Sequence, residues 1–325
     1  MKVLRGWILV IWIFTASVQA TDILVIESYH KEFLWDANYL KGITKEIPRE
    51  YKIETFEMNT KRLPRELYEE QAQKAFQVYK EHKPKIVILG DDNALSFMLP
   101  KLYDEEISIV FLGVNSNPRK LMQNYQGRAQ ITGILEQPLF IRNVGEIGAL
   151  LPPDKKKIKV MFDSGVTSGI ANDYMQQQYD MISRSLGIEV ELFTIATQQD
   201  WKETLLSAKD DDTGAVIVGL YQTLVDEQGK SVDADSILSW TNKHSPVPLF
   251  GFWDFSIGEG KAAGGVVLFG ESQGRKAGQI SRMILEGEKS AQEIPIQIGI
   301  HGRAIYNMVE MQRWGLVPPD HWKHQ

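Results

Sequence analysis

The sequence predicts an α/β protein of two lobes, each a largely parallel sheet covered by helices on both faces. Three observations predict it. Short β-branched runs, apolar on both sides of the strand alternation, are interleaved along the chain with amphipathic runs of helical period. Ten such strand candidates occur in 325 residues, too many for one compact sheet, so two sheets of about five strands each are expected. A break in the series near Glu136–Pro138 divides the candidates five and five.

The strand candidates of the first half are Ile23–Ile26, Ile53–Phe56, Ile86–Leu89, Ile109–Leu112 and Ile131–Leu135. Those of the second half are Ile158–Phe162, Val190–Phe193, Ala215–Val218, Leu249–Phe252 and Val266–Phe269. Helical stripes fill the gaps: Leu40, Ile43 and Ile47; Tyr68, Ala72, Ala75 and Tyr79; Met175, Tyr179, Ile182 and Leu186; and Ala277, Ile280 and Ile284, the last closed by Gly287. Pro152-Pro153 and Lys155-Lys156-Lys157 introduce the second series, the lysines reading as a solvated turn, and Asp210-Asp211-Asp212 reads as a solvated loop.

The N-terminus reads as an export signal. Lys2 and Arg5 precede an apolar stretch from Gly6 to Ser17, and Val18-Gln19-Ala20 places small residues before a cut after Ala20. The apolar stretch is shorter than the roughly 20 residues a bilayer span needs, so residues 1–20 are expected to be cleaved rather than to anchor the chain. With no cysteine in the sequence, a lipid-anchored lipoprotein, disulfides, zinc–thiolate sites and thiol nucleophiles are excluded. A soluble protein of the periplasm fits these facts. Removing residues 1–20 takes away two bases and no acid, leaving 34 basic against 42 acidic residues and a net charge of −8. An acidic chain without a basic stripe is a poor partner for nucleic acid or anionic lipid.

Ligands of open α/β sheets gather at the carboxyl ends of the strands. Those ends carry Glu27-Ser28-Tyr29-His30 and Trp35, then Asp91-Asp92-Asn93, Asn115-Ser116-Asn117 and Glu136; in the second half they carry Asp163-Ser164, Tyr221-Gln222 and Trp253-Asp254. Rings, carboxylates, amides and hydroxyls of this kind stack a small ligand and satisfy its polar groups. Helix capping competes for Asp91, Asp92, Ser116, Asn117 and Ser168. Catalytic and cofactor motifs are missing. Gly258-Glu259-Gly260-Lys261-Ala262-Ala263 has dinucleotide-loop letters but leads into a strand, no phosphate loop or nucleophile elbow occurs, and His321 and His324 lie in a tail expected to fray. No catalytic residue, metal or cofactor is assigned.

In order along residues 21 to 320, the chain resembles the type I periplasmic substrate-binding proteins of uncharacterised ABC transport systems, whose relatives also serve as sensor parts of histidine kinases and diguanylate cyclases. The resemblance is carried by Glu27-Ser28-Tyr29-His30 with Trp35, by Ile131-Thr132-Gly133-Ile134, and by Gly251-Phe252-Trp253-Asp254 followed by Gly264-Gly265-Val266-Val267, Gly270 and Gln273-Gly274. Ile284-Leu285-Glu286-Gly287, Ile294-Pro295 and Trp314-Gly315-Leu316-Val317-Pro318 continue it. It implies two Rossmann-like lobes joined by a three-crossover hinge. Lobe 1 would be 21–135 plus about 268–293, lobe 2 would be 136–267, and 294–325 would return across the hinge. It also implies a ligand-binding cleft; with the strand-end reading, its residues would be Tyr29, Trp35, Asp91, Asn115, Glu136, Asp163, Ser164, Tyr221, Trp253 and Asp254. The expected function is capture of a small solute, an amino acid or related amine before a sugar, by a monomer that presents its closed form to a membrane permease. The alternative is an accessory protein of a membrane sensor, and a periplasmic enzyme on the same fold is the third reading. Transport members of the family are often lipid-anchored; this chain departs from them in having no cysteine.

Overall fold

The buried apolar runs become the central strands of two sheets. The structure, a computed structural model, describes residues 21–299 and 302–325; the leader read over residues 1–20 lies outside the described residues. In chain order the first half forms β1 (Ile23–Glu27), α1 (Leu34–Glu46), β2 (Ile53–Glu57), α2 (Tyr68–His82), β3 (Ile86–Gly90), α3 (Asp91–Leu102), β4 (Ser108–Val114), α4 (Arg119–Asn124) and β5 (Gln130–Leu135). Next come α5 (Phe140–Leu150), β6 (Lys157–Asp163), α6 (Val166–Gln176), α7 (Tyr179–Leu186), β7 (Glu189–Ile195), α8 (Gln198–Leu206), β8 (Thr213–Val218), α9 (Ala234–His244), β9 (Leu249–Gly251) and β10 (Gly264–Val267). The chain closes with α10 (Gly270–Leu285), β11 (Gln297–Ile298), β12 (Arg303–Tyr306), α11 (Met308–Arg313) and β13 (Lys323–His324).

One sheet has the order β11-β5-β4-β3-β1-β2 and the other β13-β12-β10-β9-β8-β6-β7. All described pairings are parallel except β10 with β12. The sheets therefore hold six and seven strands rather than five each, because three short strands near the C-terminus add to their edges. The chain passes between the sheets three times, after β5, after β10 and after β11. The second passage returns α10 to the first sheet, where it lies along α1 so closely that a methyl group at Gly42 would strike the Glu271 carbonyl, and one at Gly274 the Tyr39 carbonyl.

Four local expectations are corrected. The stripe from Met175 to Leu186 is split between α6 and α7, and only Met175 and Ile182 are buried; Tyr179 and Leu186 stay exposed. Lys155–Lys157 is more than a solvated turn: Lys156 Nζ donates to the Gly148 carbonyl at the end of α5 (2.6 Å), and Lys157 pairs with Glu191 (2.7 Å). Asp211 is likewise not simply solvated. It pairs with the buried Lys159 at 2.9 Å and accepts from Thr213 N, and these donors hold its carboxyl well below the usual range despite partial burial. The C-terminal tail is tied down: Trp322 is buried, and Glu146 accepts from its indole (2.9 Å) and bonds His321 (2.7 Å).

Candidate ligand-binding cleft

The carboxyl ends of the two sheets face each other. On the first, the loops after β1, β3, β4 and β5 bring up Tyr29, Asp91, Asn115 and Glu136, with Trp35 from the start of α1. On the second, Thr167, Leu220, Trp253 and Phe255 stand opposite. Between them lies an inner cavity of about 10 Å³, room for one water. Outside it opens a vestibule of about 550 Å³, with Tyr221, Gln222, Val232 and Asp233 on one wall and His30, Glu32 and Arg62 on the other. Phe33, Lys61 and Phe255 border both spaces.

The backbone at this edge is built for close approach. Asp91 has φ 69° and Gly113 φ 67°, a conformation that only glycine adopts at no cost. A Cβ on Gly113 would lie 3.1 Å from Asp91 Oδ1 and 3.4 Å from Trp35 Nε1, so the missing side chain leaves the space those two groups use. Asp92 does not cap α3: its carboxylate accepts from Asn115 N (3.0 Å) and Ser116 N (2.9 Å) and so fixes the loop after β4. Asn117 does act as a local cap, accepting from Arg119 N at 3.1 Å.

Direct bonds cross the cleft. Tyr29 OH meets Thr167 Oγ1 at 3.0 Å, Phe33 packs edge-on to Phe255 at 5.4 Å, and Lys61 Nζ donates to Gln222 Oε1 at 3.4 Å. Trp253 Nε1 donates to Glu136 Oε1 at 2.6 Å. Among the described residues, several polar atoms at this edge are buried without a partner, including Asp91 Oδ2, Asn115 Oδ1 and Trp35 Nε1, and orphaned groups of this kind call for a ligand or ordered water. Burial, then the neighbouring Asp36 and Glu136, push the Asp91 carboxyl well up; burial raises Glu136 too, against the Trp253 bond.

The structure thus brings six of the ten sequence-derived residues to one cavity: Tyr29, Trp35, Asp91, Asn115, Glu136 and Trp253. Tyr221 lines the vestibule instead. Asp163 turns into its own loop, accepting from Gly165 N, Ser168 Oγ and Thr223 N, and Ser164 is exposed. Asp254 lies away from the cavity, bonded by Asn38 Nδ2 (3.4 Å) beside Glu271 and Arg303.

Sequence reasoning missed Lys61 and Phe255, and it placed Phe33 and Thr167 at strand ends without selecting them for the cleft. Lys61 follows β2, a strand end that the same rule covers. It is held rigidly: Met58 N donates to Glu27 O (2.9 Å), Asn59 N to Tyr29 O (2.7 Å) and Thr60 N to Ser28 O (3.0 Å), which zips its loop onto the loop after β1.

No known family profile matches the sequence, and no curated protein matches it. Solved structures do. An ABC domain from Streptococcus pneumonia in complex with L-Trp shares 15% identity over 93% of this chain and 96% of that one, with a TM-score of 0.66. AraP, an arabinose-binding protein from Geobacillus stearothermophilus, shares 14% over 90% and 99%, with a TM-score of 0.60. A 5-methylthioribose transporter solute-binding protein from Thermotoga lettingae, in complex with 5-methylthioribose, shares 14% over 93% and 94%, with a TM-score of 0.57. At such identities the likeness is one of fold: the chain has the two-lobed type I periplasmic binding protein fold.

Proposed function

We propose that the chain is a periplasmic solute-binding protein, exported by the leader read over residues 1–20, that captures a small molecule between its lobes and presents the closed form to the permease of an ABC transporter. The observation that carries this reading is the cleft itself, where Asp91 Oδ2, Asn115 Oδ1 and Trp35 Nε1 are buried and unpartnered opposite Trp253 and Phe255 of the other lobe. A ligand touching both lobes binds the closed form better than the open one, and that difference is the free energy available for signalling closure. The inner cavity is too small for a solute at the spacing seen here, so binding goes with slightly separated lobes.

The ligand class follows from charge. Two buried carboxyls, Asp91 and Glu136, stand among aromatic rings with, among the described residues, no cation in hydrogen-bond contact. A ligand ammonium supplies donors to Asp91 and cation–π contact to the rings, which favours an amino acid or related amine over a sugar. The proteins of similar fold that bind L-Trp, arabinose and methylthioribose support a small polar solute. Delivery to a membrane sensor instead of a permease uses the same cleft; neighbouring genes, permease and ATPase or signalling protein, separate the two.

The test is a thermal-unfolding screen of the mature protein against amino acids, polyamines, sugars, nucleosides and organic acids. A ligand at about a hundred times its dissociation constant stabilises the folded state by about 2.7 kcal/mol, and one such hit is expected. Silence across the panel overturns the solute-binding reading.

A further inference from the structure

Lys61 is buried at the wall between the inner cavity and the vestibule. Its ammonium lies over the faces of Tyr29 (4.3 Å) and Phe33 (4.9 Å), and its one described hydrogen bond is the long contact to Gln222 Oε1. Asp91, Glu136 and Asp163 surround it at a distance, yet among the described residues it forms no ion pair. The other buried lysine, Lys159, is paired with Asp211 at 2.9 Å, so this fold does supply partners to its buried cations elsewhere.

A buried ammonium with three donors and one weak acceptor is under-satisfied. Its loop is fixed by three backbone bonds and by Asn93 Nδ2 donating to Thr60 Oγ1 at 2.9 Å, so the side chain is presented to the cleft rather than left loose. In the same cavity, among the described residues, the unmet groups are two acceptors, Asp91 Oδ2 and Asn115 Oδ1, and one donor, Trp35 Nε1. The cleft therefore offers unlike groups: a donor-rich cation at the vestibule wall and, beside the Trp35 indole, two unpaired acceptors inside.

We infer that Lys61 receives an anionic group of the ligand, so that the cleft selects a zwitterionic solute of the α-amino acid class over both its decarboxylated amine and a neutral sugar. The carboxylate pairs with Lys61 Nζ, and the ammonium reaches Asp91 and Asn115. The side chain projects into the vestibule, where Phe33, Tyr221, Val232 and Phe255 offer apolar wall and its 550 Å³ accepts side chains of many sizes. Selectivity for the backbone groups thus resides in the inner cavity and selectivity for the side chain in the vestibule. The inference rests on the reading of the cleft as a solute site and goes beyond it in naming the residue that chooses the class.

Calorimetric titration tests it with L-tryptophan, L-leucine, L-glutamate, L-lysine and glycine, each beside its methyl ester, on the parent protein and Lys61→Met, with arabinose, ribose and putrescine as outsiders. The expected result is that at least one amino acid binds the parent about 10- to 100-fold more tightly than its ester, the range for a charge-assisted bond. In Lys61→Met the free acid falls to the affinity of the ester. That variant keeps the length and apolar contacts of the stem, and its melting point without ligand is expected within a few degrees of the parent, since no ion pair is lost. Equal affinity of acid and ester, retention of the preference in Lys61→Met, or a collapse of its melting point overturns the role of Lys61. Binding of a sugar or of putrescine with no amino acid binding also overturns it and leaves the solute-binding reading standing. No binding by any probe overturns the class inference, and the broader thermal screen then decides the function separately.

Discussion

Replacing Glu27 by Gln removes a carboxyl that the fold buries completely at the end of β1. Neither of its oxygens has a described partner, and its neighbour in register on β2 is another acid, Glu57. Burial first, and Glu57 second, push the carboxyl up to about 7 from 4.5. At about 1.4 kcal/mol per pH unit, the gap corresponds to about 3 kcal/mol at most. The sign follows from proton counting. Below about pH 4.5 both states hold the proton, and Glu27 adds no pH dependence to folding. Between about 4.5 and 7 the unfolded chain sheds it while the native state keeps it, so stability falls as pH rises and the loss is complete above about 7. Urea unfolding of parent and Glu27→Gln at a series of pH values from about 4 to about 9 isolates this group in the difference curve. The variant is expected to match the parent near pH 4 and exceed it by about 3 kcal/mol near pH 8. Parallel curves, or a less stable variant at pH 8, refute the claim that this carboxyl is buried and unpaired.

Three further predictions concern the cleft and the tail. Gly113→Ala forces a Cβ into left-handed backbone and to within 3.1 Å of Asp91 Oδ1; it is expected to lower stability by about 1–2 kcal/mol and to weaken ligand binding, read by melting and titration. Thr167→Val removes the 3.0 Å bond to Tyr29 across the cleft; small-angle scattering is expected to show a more open average shape, at a cost of about 1 kcal/mol to the closed form, with lobe stability unchanged. Trp322→Ala empties a buried site against Phe250 and Gly264 and is expected to lose about 3–5 kcal/mol by chemical denaturation.

What the sequence discloses depends on how many neighbours a segment has. The runs that became β1, β3, β4, β6 and β8 are apolar on both faces because helices cover both, and that leaves a plain signal. The strands β11, β12 and β13 span only two to four residues each, with Arg303 in β12 and Lys323 and His324 in β13; nothing in such letters separates an edge strand from a loop. The tail was expected to fray because polar ends usually do, and only the partners of Trp322 and His321 reveal otherwise. The cleft divides in the same way. The strand-end rule gathers Asp91 and Glu136 at one cavity, yet Asp163 and Asp254 follow the same rule and point elsewhere, because Asp163 is taken up by Gly165 and Ser168 of its own loop and by Thr223, and Asp254 by Asn38, the last two donors remote in sequence. Lys61 gave no aromatic or acidic flag; its importance comes from the zipping of its loop onto β1 and from a pairing it lacks.

The seam between α1 and α10 bears on how such a protein can be divided and recombined. Residues 21–135 alone would leave Tyr39, Gly42 and Ile43 facing water where Gly270, Gly274 and Gly278 now press. A single genetic exchange in the middle of the chain therefore transfers neither lobe intact. It leaves each half with a helix fitted to another protein's glycines. Grafting the first lobe requires two exchanges, or a permuted gene that splices the α10–β11 stretch onto the end of β5. Pairs of substitutions at Gly42 and Gly274 should vary together across descendants, since neither backbone can back away unless the other does.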